Sequence, residues 1–294
     1  MLSATQIDRV VAAALEEDAP WGDVTSEYLI PADALATADL VAREPGTFSG
    51  GAVFAAAFRL TDPRITVTVH LDEGDAFDAG QIVASVSGPA RGVLTAERVG
   101  LNFVQRMSGI ATLTREYVDA IEGTDARIVD TRKTTPGLRA FERHAVRSGG
   151  GHNHRFSLSD AVMAKDNHLA VLTAPTSRGA SASSLADALR AAVARLPHTA
   201  HVEIEIDGLD QLDAVLAARP ATIMLDNFSL ADLRRGVAQV AGRAIVEASG
   251  GVTLGSVRAI AETGVDVISV GALTHSARAL DLGLDVRVER TNGD

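Results

Sequence analysis

A unit that repeats beyond about residue 125 constrains this chain more than any other feature. Short apolar runs at 127–129, 161–164, 202–206, 221–225, 244–246 and 265–270 alternate with helix-compatible stretches, among them 184–196, 209–218, 230–240 and 254–262. Repeated strand–helix units imply a parallel sheet, either open or closed into a barrel. The polar residues choose between the two. At or just past the end of nearly every run stands a cluster able to do chemistry: Asp130, Arg132 and Lys133; Lys165, Asp166 and Asn167; Glu203 and Glu205; Asp226 and Asn227; Glu247 and Ser249; Ser269 and Gly271. An open doubly wound sheet gathers its ligands at one switch point, whereas a barrel collects them from many strand ends. Six runs with six clusters predict an α/β barrel, incomplete because a full one uses eight strands.

Residues 1–112 read differently. Ser3 and Gln6 form a capping box ahead of a helix whose apolar face is Ile7, Val10, Val11, Ala14 and Leu15. Strand-like runs at 38–41, 65–69 and 82–86 follow, with a helix-compatible stretch at 53–60 between them. This is a small α+β domain. A helical pattern from Thr95 to about Glu122, with a break expected at Ser108-Gly109, leads into a barrel domain at 113–275, and the tail 276–294 is a candidate to complete the first domain.

The chain has 294 residues and no cysteine, which excludes disulfides, thiolate metal sites and cysteine nucleophiles. No apolar run approaches the roughly 18 residues of a membrane span and no signal pattern opens the sequence, so a cytoplasmic location is expected. A net charge of −11 argues against nucleic acid or an anionic membrane as partner. Yet residues 132–168 carry +4 while the remainder carries −15, and four of the eight histidines (His144, His152, His154, His168) lie in that basic window. So do the chain's only two lysines, Lys133 and Lys165, against 25 arginines elsewhere and beside them. A composition that drifts toward arginine spares a lysine where a compact ammonium does what a planar guanidinium cannot.

The loop Thr131-Arg-Lys-Thr-Thr-Pro-Gly-Leu-Arg139 offers three cations and three hydroxyls, suited to carboxylate or phosphate oxygens. It equally reads as the approach to a helix, with Thr135 as cap and Pro136 in the first turn. Ser148-Gly-Gly-Gly-His-Asn-His-Arg155 combines a backbone free to approach a ligand with His154 and Arg155, which can reach an anion. Metal ligation by this pair of histidines is disfavoured, since no carboxylate stands at tight spacing. Glu203 and Glu205 share a strand face, and with Asp226 they suit Mg²⁺ or ribose hydroxyls; alternatively they pair with the basic island. Ser249-Gly250-Gly251 and Ser269-Val270-Gly271 sit where barrels commonly bind a phosphate on backbone N–H groups. A phosphosugar together with a small polyanionic acid fits all of these. A Schiff-base aldolase using Lys165 is the rival reading.

Several segments, in order along most of the chain, resemble the quinolinate phosphoribosyltransferase family: Gly22-Asp-Val-Thr25, Asn102-Phe-Val-Gln-Arg-Met-Ser-Gly-Ile-Ala-Thr112, the 131–139 loop, His152-Asn-His-Arg155, Lys165-Asp-Asn-His168, Met224-Leu-Asp-Asn227 and Glu247-Ala-Ser-Gly-Gly251. The resemblance implies an N-terminal α/β sandwich, an incomplete barrel and a homodimer with shared active sites. It implies a reaction that joins quinolinate to 5-phosphoribosyl 1-pyrophosphate with Mg²⁺, giving nicotinate mononucleotide, pyrophosphate and CO₂ in de novo NAD biosynthesis. By motif, Arg132, His154, Arg155 and Lys165 would grip the quinolinate carboxylates, with Arg106 supplied by the other subunit. Lys133 would meet the pyrophosphoryl end, Glu205 and Asp226 the ribose or metal, and Ser249, Gly250 and Gly271 the 5-phosphate. The segment 172–184 is longer and richer in Ser and Ala than the family's usual link, and is expected either to act as a flap or to be a tolerated insertion.

Overall fold

A computed structural model describes residues 2–174 and 184–289. It divides into two compact units, the first made of Met1–Arg115, Thr134–Gly150 and Leu273–Asp294, the second of Glu116–Lys133 and Gly151–Ala272. The segment 134–150 therefore groups with the N-terminal unit, where the sequence pattern had placed it in the barrel domain. The expected flap falls largely on 175–183, outside the described residues.

In the first unit, α1 (Ala4–Asp18) starts at the Ser3–Gln6 capping box, and α2 (Val24–Leu29) is capped by Asp23. Strands β1 (Leu35–Ala42), β3 (Thr66–Val69) and β5 (Ile82–Pro89) join the chain's last strand, β12 (Leu282–Glu289), in one antiparallel sheet of order β12-β1-β5-β3. Two short strands, β2 (Gly46–Thr47) and β4 (Ala76–Phe77), pair separately. Along β1 burial alternates residue by residue, so the sheet has one covered face. The tail pairs with β1 from Leu35↔Glu289 to Ala42↔Leu282, so its place in this unit is fixed by a full antiparallel ladder. Helix α3 (Gly51–Thr61) supplies the core with Phe54 and Phe58, both fully buried with ring centroids 4.9 Å apart; truncating either would cost about 3–5 kcal/mol.

Helix α4 (Ala90–Ala120) runs 31 residues without the expected break at Ser108-Gly109. Gly109 serves a different purpose there. A Cβ at that position would lie 1.9 Å from the Arg278 carbonyl oxygen, so glycine lets the returning chain approach the helix backbone. Helix α5 (Arg139–Ser148) completes the unit. Its start also departs from expectation, because Leu138 and not Thr135 occupies the N-cap.

The second unit is a six-stranded, wholly parallel sheet of order β6-β11-β10-β9-β8-β7, built from β6 (Arg127–Val129), β7 (Val162–Ala164), β8 (Val202–Ile206), β9 (Thr222–Asp226), β10 (Ile245–Ser249) and β11 (Val267–Ser269). The strands that lie at its two ends, β6 and β7, are consecutive in the chain. A closed barrel would pair them, and instead His152 of the intervening segment adds a single parallel bridge to Val129. Helices α6 (Asp166–Thr173), α7 (Leu185–Val193), α8 (Leu212–Ala217), α9 (Leu230–Val240) and α10 (Leu254–Ala261) alternate with the strands, and a short α11 (Ala272–His275) follows β11. Ile128, Ile204, Ile206, Ile223, Leu225 and Ile268 are almost wholly buried, as strands covered on both faces require. Among the described residues no helix is long and apolar enough to cross a membrane.

Candidate active site

At the C-terminal ends of the second unit's strands lies a cavity of about 430 Å³, lined by Thr131, Arg132, Lys133, His154, Arg155, Met163, Lys165, Glu205, Met224, Asp226, Ser249 and Ser269. Every strand end contributes. The loop after β6 brings Arg132 and Lys133, and the segment that bridges to β6 brings His154 and Arg155. From the ends of β7, β8, β9 and β10 come Lys165, Glu205, Asp226 and Ser249. Eight of the eleven residues given a role from sequence line this one cavity.

The cations are held from within the unit. Asp130, wholly buried, accepts the His154 backbone N–H at 2.8 Å and the Asn153 side-chain amide at 2.5 Å, which fixes the segment carrying His154 and Arg155. Arg155 donates from Nη1 to the Ala161 carbonyl at 3.1 Å. Burial lowers its pKa from the ordinary arginine value, and the charge of Arg132 adds to the effect. Two cations forced this close are a preformed demand for an anion.

The acids answer the alternative left open by the sequence, because both glutamates pair with the basic segment. Lys165 Nζ forms an ion pair with Glu205 Oε2. Glu203, 3% exposed, faces His154, whose Nε2 lies 3.1 Å from Glu203 Oε2 and 3.5 Å from Glu247 Oε1. This cluster of His154, Glu203 and Glu247 has all its ligand-type atoms within 4.8 Å of one another, the one such trio among the described residues. Metal ligation by the histidines was disfavoured from sequence because no carboxylate stands close by in the chain; two reach His154 from strands roughly 50 and 90 residues further on.

Glycine geometry shapes the turns after β9 and β10. Asn227 adopts a left-handed backbone (φ 58°) and donates its N–H to the Ser249 carbonyl at 2.8 Å. A Cβ at Gly250 (φ 94°) would sit 2.1 Å from Asn227 Oδ1, so only glycine lets the β9 and β10 turns nest together. Gly251, at φ 59°, continues the turn. Gly271 follows β11 in the same unit. Gly149, the first of the run Gly149-Gly150-Gly151, has a packing role. A Cβ at Gly149 would stand 2.4 Å from the Ala111 carbonyl, so that glycine is packed against α4.

Arg106 lies in the first unit, on α4, with its guanidinium committed there. Nη2 donates to Glu142 Oε1 at 2.8 Å and to the Thr274 carbonyl, Nη1 donates to the Ala277 carbonyl at 2.6 Å, and Nε reaches Glu142 at 3.3 Å. Four lining residues were given no role from sequence, namely Thr131, Met163, Met224 and Ser269, although Thr131 and Met224 stood inside motifs and Ser269 at a strand end. Two thioethers stand among ionic groups as a polarizable surface, but a methionine in an apolar run carries no signal of its own. A larger hollow of about 950 Å³ is walled mainly by aliphatic side chains such as Val171, Leu189, Leu196 and Ile204, and lacks such a convergence of charge.

Two family models cover most of the chain, the N-terminal domain of quinolinate phosphoribosyl transferase over residues 23–108 and its C-terminal domain over residues 110–285. The chain is 43% identical over 297 residues to a nicotinate-nucleotide pyrophosphorylase (carboxylating) of Mycobacterium leprae, covering 97% of this chain and all of that one. A probable enzyme of the same name from Bacillus subtilis is 41% identical over 92% of this chain and 90% of its own. Among solved structures, NadC from Streptococcus pyogenes superposes with a TM-score of 0.91 at 38% identity, covering 99% of each chain.

Proposed function

The chain belongs to the quinolinate phosphoribosyltransferase family, and we propose that it transfers the phosphoribosyl group of 5-phosphoribosyl 1-pyrophosphate to quinolinate with loss of CO₂, giving nicotinate mononucleotide and pyrophosphate. The observation that carries this reading is the convergence of Arg132, Lys133, His154, Arg155 and Lys165 on one cavity that also presents Glu205, Asp226 and Ser249. Quinolinate, a planar dianion, is gripped by Arg132, Arg155, Lys165 and His154 with its ring against Met163 and Met224. Glu205 and Asp226 accept hydroxyls of the ribose, Lys133 meets the pyrophosphate, and backbone N–H groups at Ser249, Gly250 and Gly271 hold the 5-phosphate. The Lys165–Glu205 ion pair opens as the substrates enter, since each partner then has a ligand group to serve.

Charge dominates the chemistry. As the bond to pyrophosphate breaks, positive charge grows on the ribose beside Glu205 and Asp226, and negative charge grows on the leaving group beside Lys133. The cavity brings two mutually repelling anions into register, which is its main contribution to rate. The C–CO₂ bond then breaks, its electron pair stays on the ring carbon next to the cationic nitrogen, and that carbon takes a proton from water to give the product.

Mg²⁺ fits the residues present. Four arginine or lysine side chains and two carboxylates line the cavity, a balance that falls well short of two carboxylates, a phosphate and a pyrophosphate. An adjoining recess of about 290 Å³ is bordered by Asp166, Glu205, Asp207, Gln211, Asp226 and Asn227, all hard oxygen donors, and the buried Gln211 Oε1 has no hydrogen-bond partner among the described residues. Glu205 and Asp226 would hold the ion, which would offset charge on the pyrophosphate as it leaves.

A homodimer is supported by Trp21, Val24, Tyr28 and Leu29, four large apolar side chains 65–93% exposed within nine residues around α2. Arg106, the residue of α4 that would serve a second copy's site, is hydrogen-bonded to Glu142 and the Ala277 carbonyl in the single chain, contacts it would exchange for a ligand carboxylate. The test of the function is release of CO₂ and pyrophosphate from quinolinate plus the phosphoribosyl donor. Nicotinate serves as the control acceptor, and turnover with nicotinate alone would overturn the reading.

A further inference from the structure

Behind the cavity, the proposed reaction leaves two buried acids without a task. Glu203 on β8 and Glu247 on β10 are each 3% exposed, and both converge on one atom, Nε2 of His154. One acceptor is enough to orient an imidazole. A second buried carboxylate facing the first adds like-charge repulsion, which a cation standing between them relieves while both stay charged.

We propose that Glu203 and Glu247 are positioning residues that act through His154: from opposite sides of β9 they clamp its Nε2 edge and hold the ring as an imidazolium, so that it meets the incoming dianion as a fixed cation. The proposal rests on the quinolinate reading above. It is a claim about charge as much as about orientation. Nδ1 accepts the Arg155 backbone N–H at 2.8 Å, so a neutral dipole opposes a second proton on the ring. The cations Arg132, Lys133, Arg155 and Lys165 around the cavity oppose it too. Favouring it are the two carboxylates at Nε2, the buried Asp130 beneath the His154 backbone, and Glu205 and Asp226 across the cavity. The two glutamates win because they are full charges at contact distance, away from water, whereas the amide is a partial one.

The pKa directions agree with this balance. Burial alone lowers the His154 value, but the hydrogen bonds and charges of Glu203 and Glu247 outweigh it and lift the ring to about 10. Burial and the charge of Glu203 in turn push the Glu247 carboxyl above the usual carboxylate range. A second ring proton turns Nδ1 from an acceptor into a donor, displaces the Arg155 amide and gives the ligand carboxylate a charge-assisted hydrogen bond.

The experiment is ¹⁵N NMR of the full-length, ligand-free protein with labelled histidine, His154 being assigned through His154→Gln. Wild type should show both ring nitrogens protonated at pH 8, and Glu247→Gln should lower the ring's proton affinity at least tenfold, with partial return in Glu247→Asp. In kinetics, kcat/KM for quinolinate of Glu247→Gln should acquire a new decline above about pH 7, while KM for the phosphoribosyl donor stays flat. A neutral His154 in wild type at pH 7 overturns the proposal, as does an unchanged titration in Glu247→Gln. Should Glu247→Gln fail to fold, Glu203→Gln gives the same reading, and the wild-type spectrum decides by itself. The spectrum needs no substrate, so a cationic ring in a protein that does not turn over quinolinate would sink the functional reading and leave the clamp standing.

Discussion

Replacing Arg106 by alanine should destabilise the protein well before it says anything about substrate. The side chain is 28% exposed, but its partner Glu142 is 1% exposed, and the pair is joined by hydrogen bonds of 2.8 and 3.3 Å. Truncation strands a carboxylate in the first unit and removes the donor from the Ala277 and Thr274 carbonyls that precede the β12 tail. Breaking a buried ion pair from one side commonly costs 3–5 kcal/mol. Two features reduce that here. Thr135 still donates to Glu142 through its hydroxyl at 2.8 Å and its N–H at 3.1 Å, and water can reach the space Arg106 leaves. An expected loss of about 2–3 kcal/mol follows, and for a chain of this size a fall in Tm of roughly 4–10 °C.

The assay is denaturant and thermal unfolding of Arg106→Ala, Glu142→Gln and the double variant. Neutralising Glu142 should recover part of the loss, with a coupling of about 1–2 kcal/mol between the two sites. A change below about 0.5 kcal/mol in Arg106→Ala, or strict additivity in the double variant, would refute the argument. The resemblance alone suggested that removing Arg106 touches only a neighbour's substrate. The ion pair in its own unit predicts a stability loss whichever subunit it serves.

Turnover should need Mg²⁺ and vanish in excess EDTA, returning on re-addition; undiminished turnover would remove the metal from the mechanism. Lys165→Arg and Lys133→Arg should each cut kcat/KM more than tenfold although charge is kept, because the guanidinium fork displaces the cation and is always charged; near-normal rates would show that the two lysines stand there by accident. Glu73 should mark the acid limb of stability. Burial raises its carboxyl, but hydrogen bonds from His144, Gly50 and Ser49 outweigh that and bring it down from 4.5 to about 2. Its contribution is therefore complete above about pH 5 and lost as pH falls toward 2. The shift would be worth roughly 3 kcal/mol in full, and about 1–2 kcal/mol for a group one-third exposed. Glu73→Gln should be less stable than wild type at pH 7 and nearly level with it near pH 2, as read by urea midpoints.

The barrel was legible because its signal is periodic and local. The expected runs 127–129 and 202–206 coincide with β6 and β8, and 230–240 with α9. Strand ends were less so: β10 extends to Ser249, past the apolar run, because its last residues ladder with Leu225 and Asp226 of β9. The membership of 134–150 was hidden for a similar reason. Its residues are as polar as a barrel loop, and what draws them to the first unit is pairing across long separations, such as Glu142 with Arg106 and Ser148 with Glu73. Gly109 misled in the opposite direction, since a glycine that breaks a helix and one that admits a neighbouring carbonyl look the same in a sequence.

His154 and Arg155 showed only through the motif that carries them, whereas Arg132, Lys133 and Lys165 could be seen one by one because each sits beside the end of a run, where sequence position nearly equals position in space. The buried acids could not. Glu203 and Glu247 alternate with apolar neighbours on interior strands, and in isolation each reads as an acid at a strand end with a ligand to hold. Only the sheet order, which puts β8 and β10 on either side of β9, brings both to the same ring nitrogen. Their effect is larger for being buried, since the water that would screen them is excluded. A barrel mouth can therefore carry an exposed layer of ligand-binding residues that spacing reveals, and beneath it a charged layer that sets how the first one is protonated. The second layer follows from topology, so a sequence pattern cannot show it until the strand order is known.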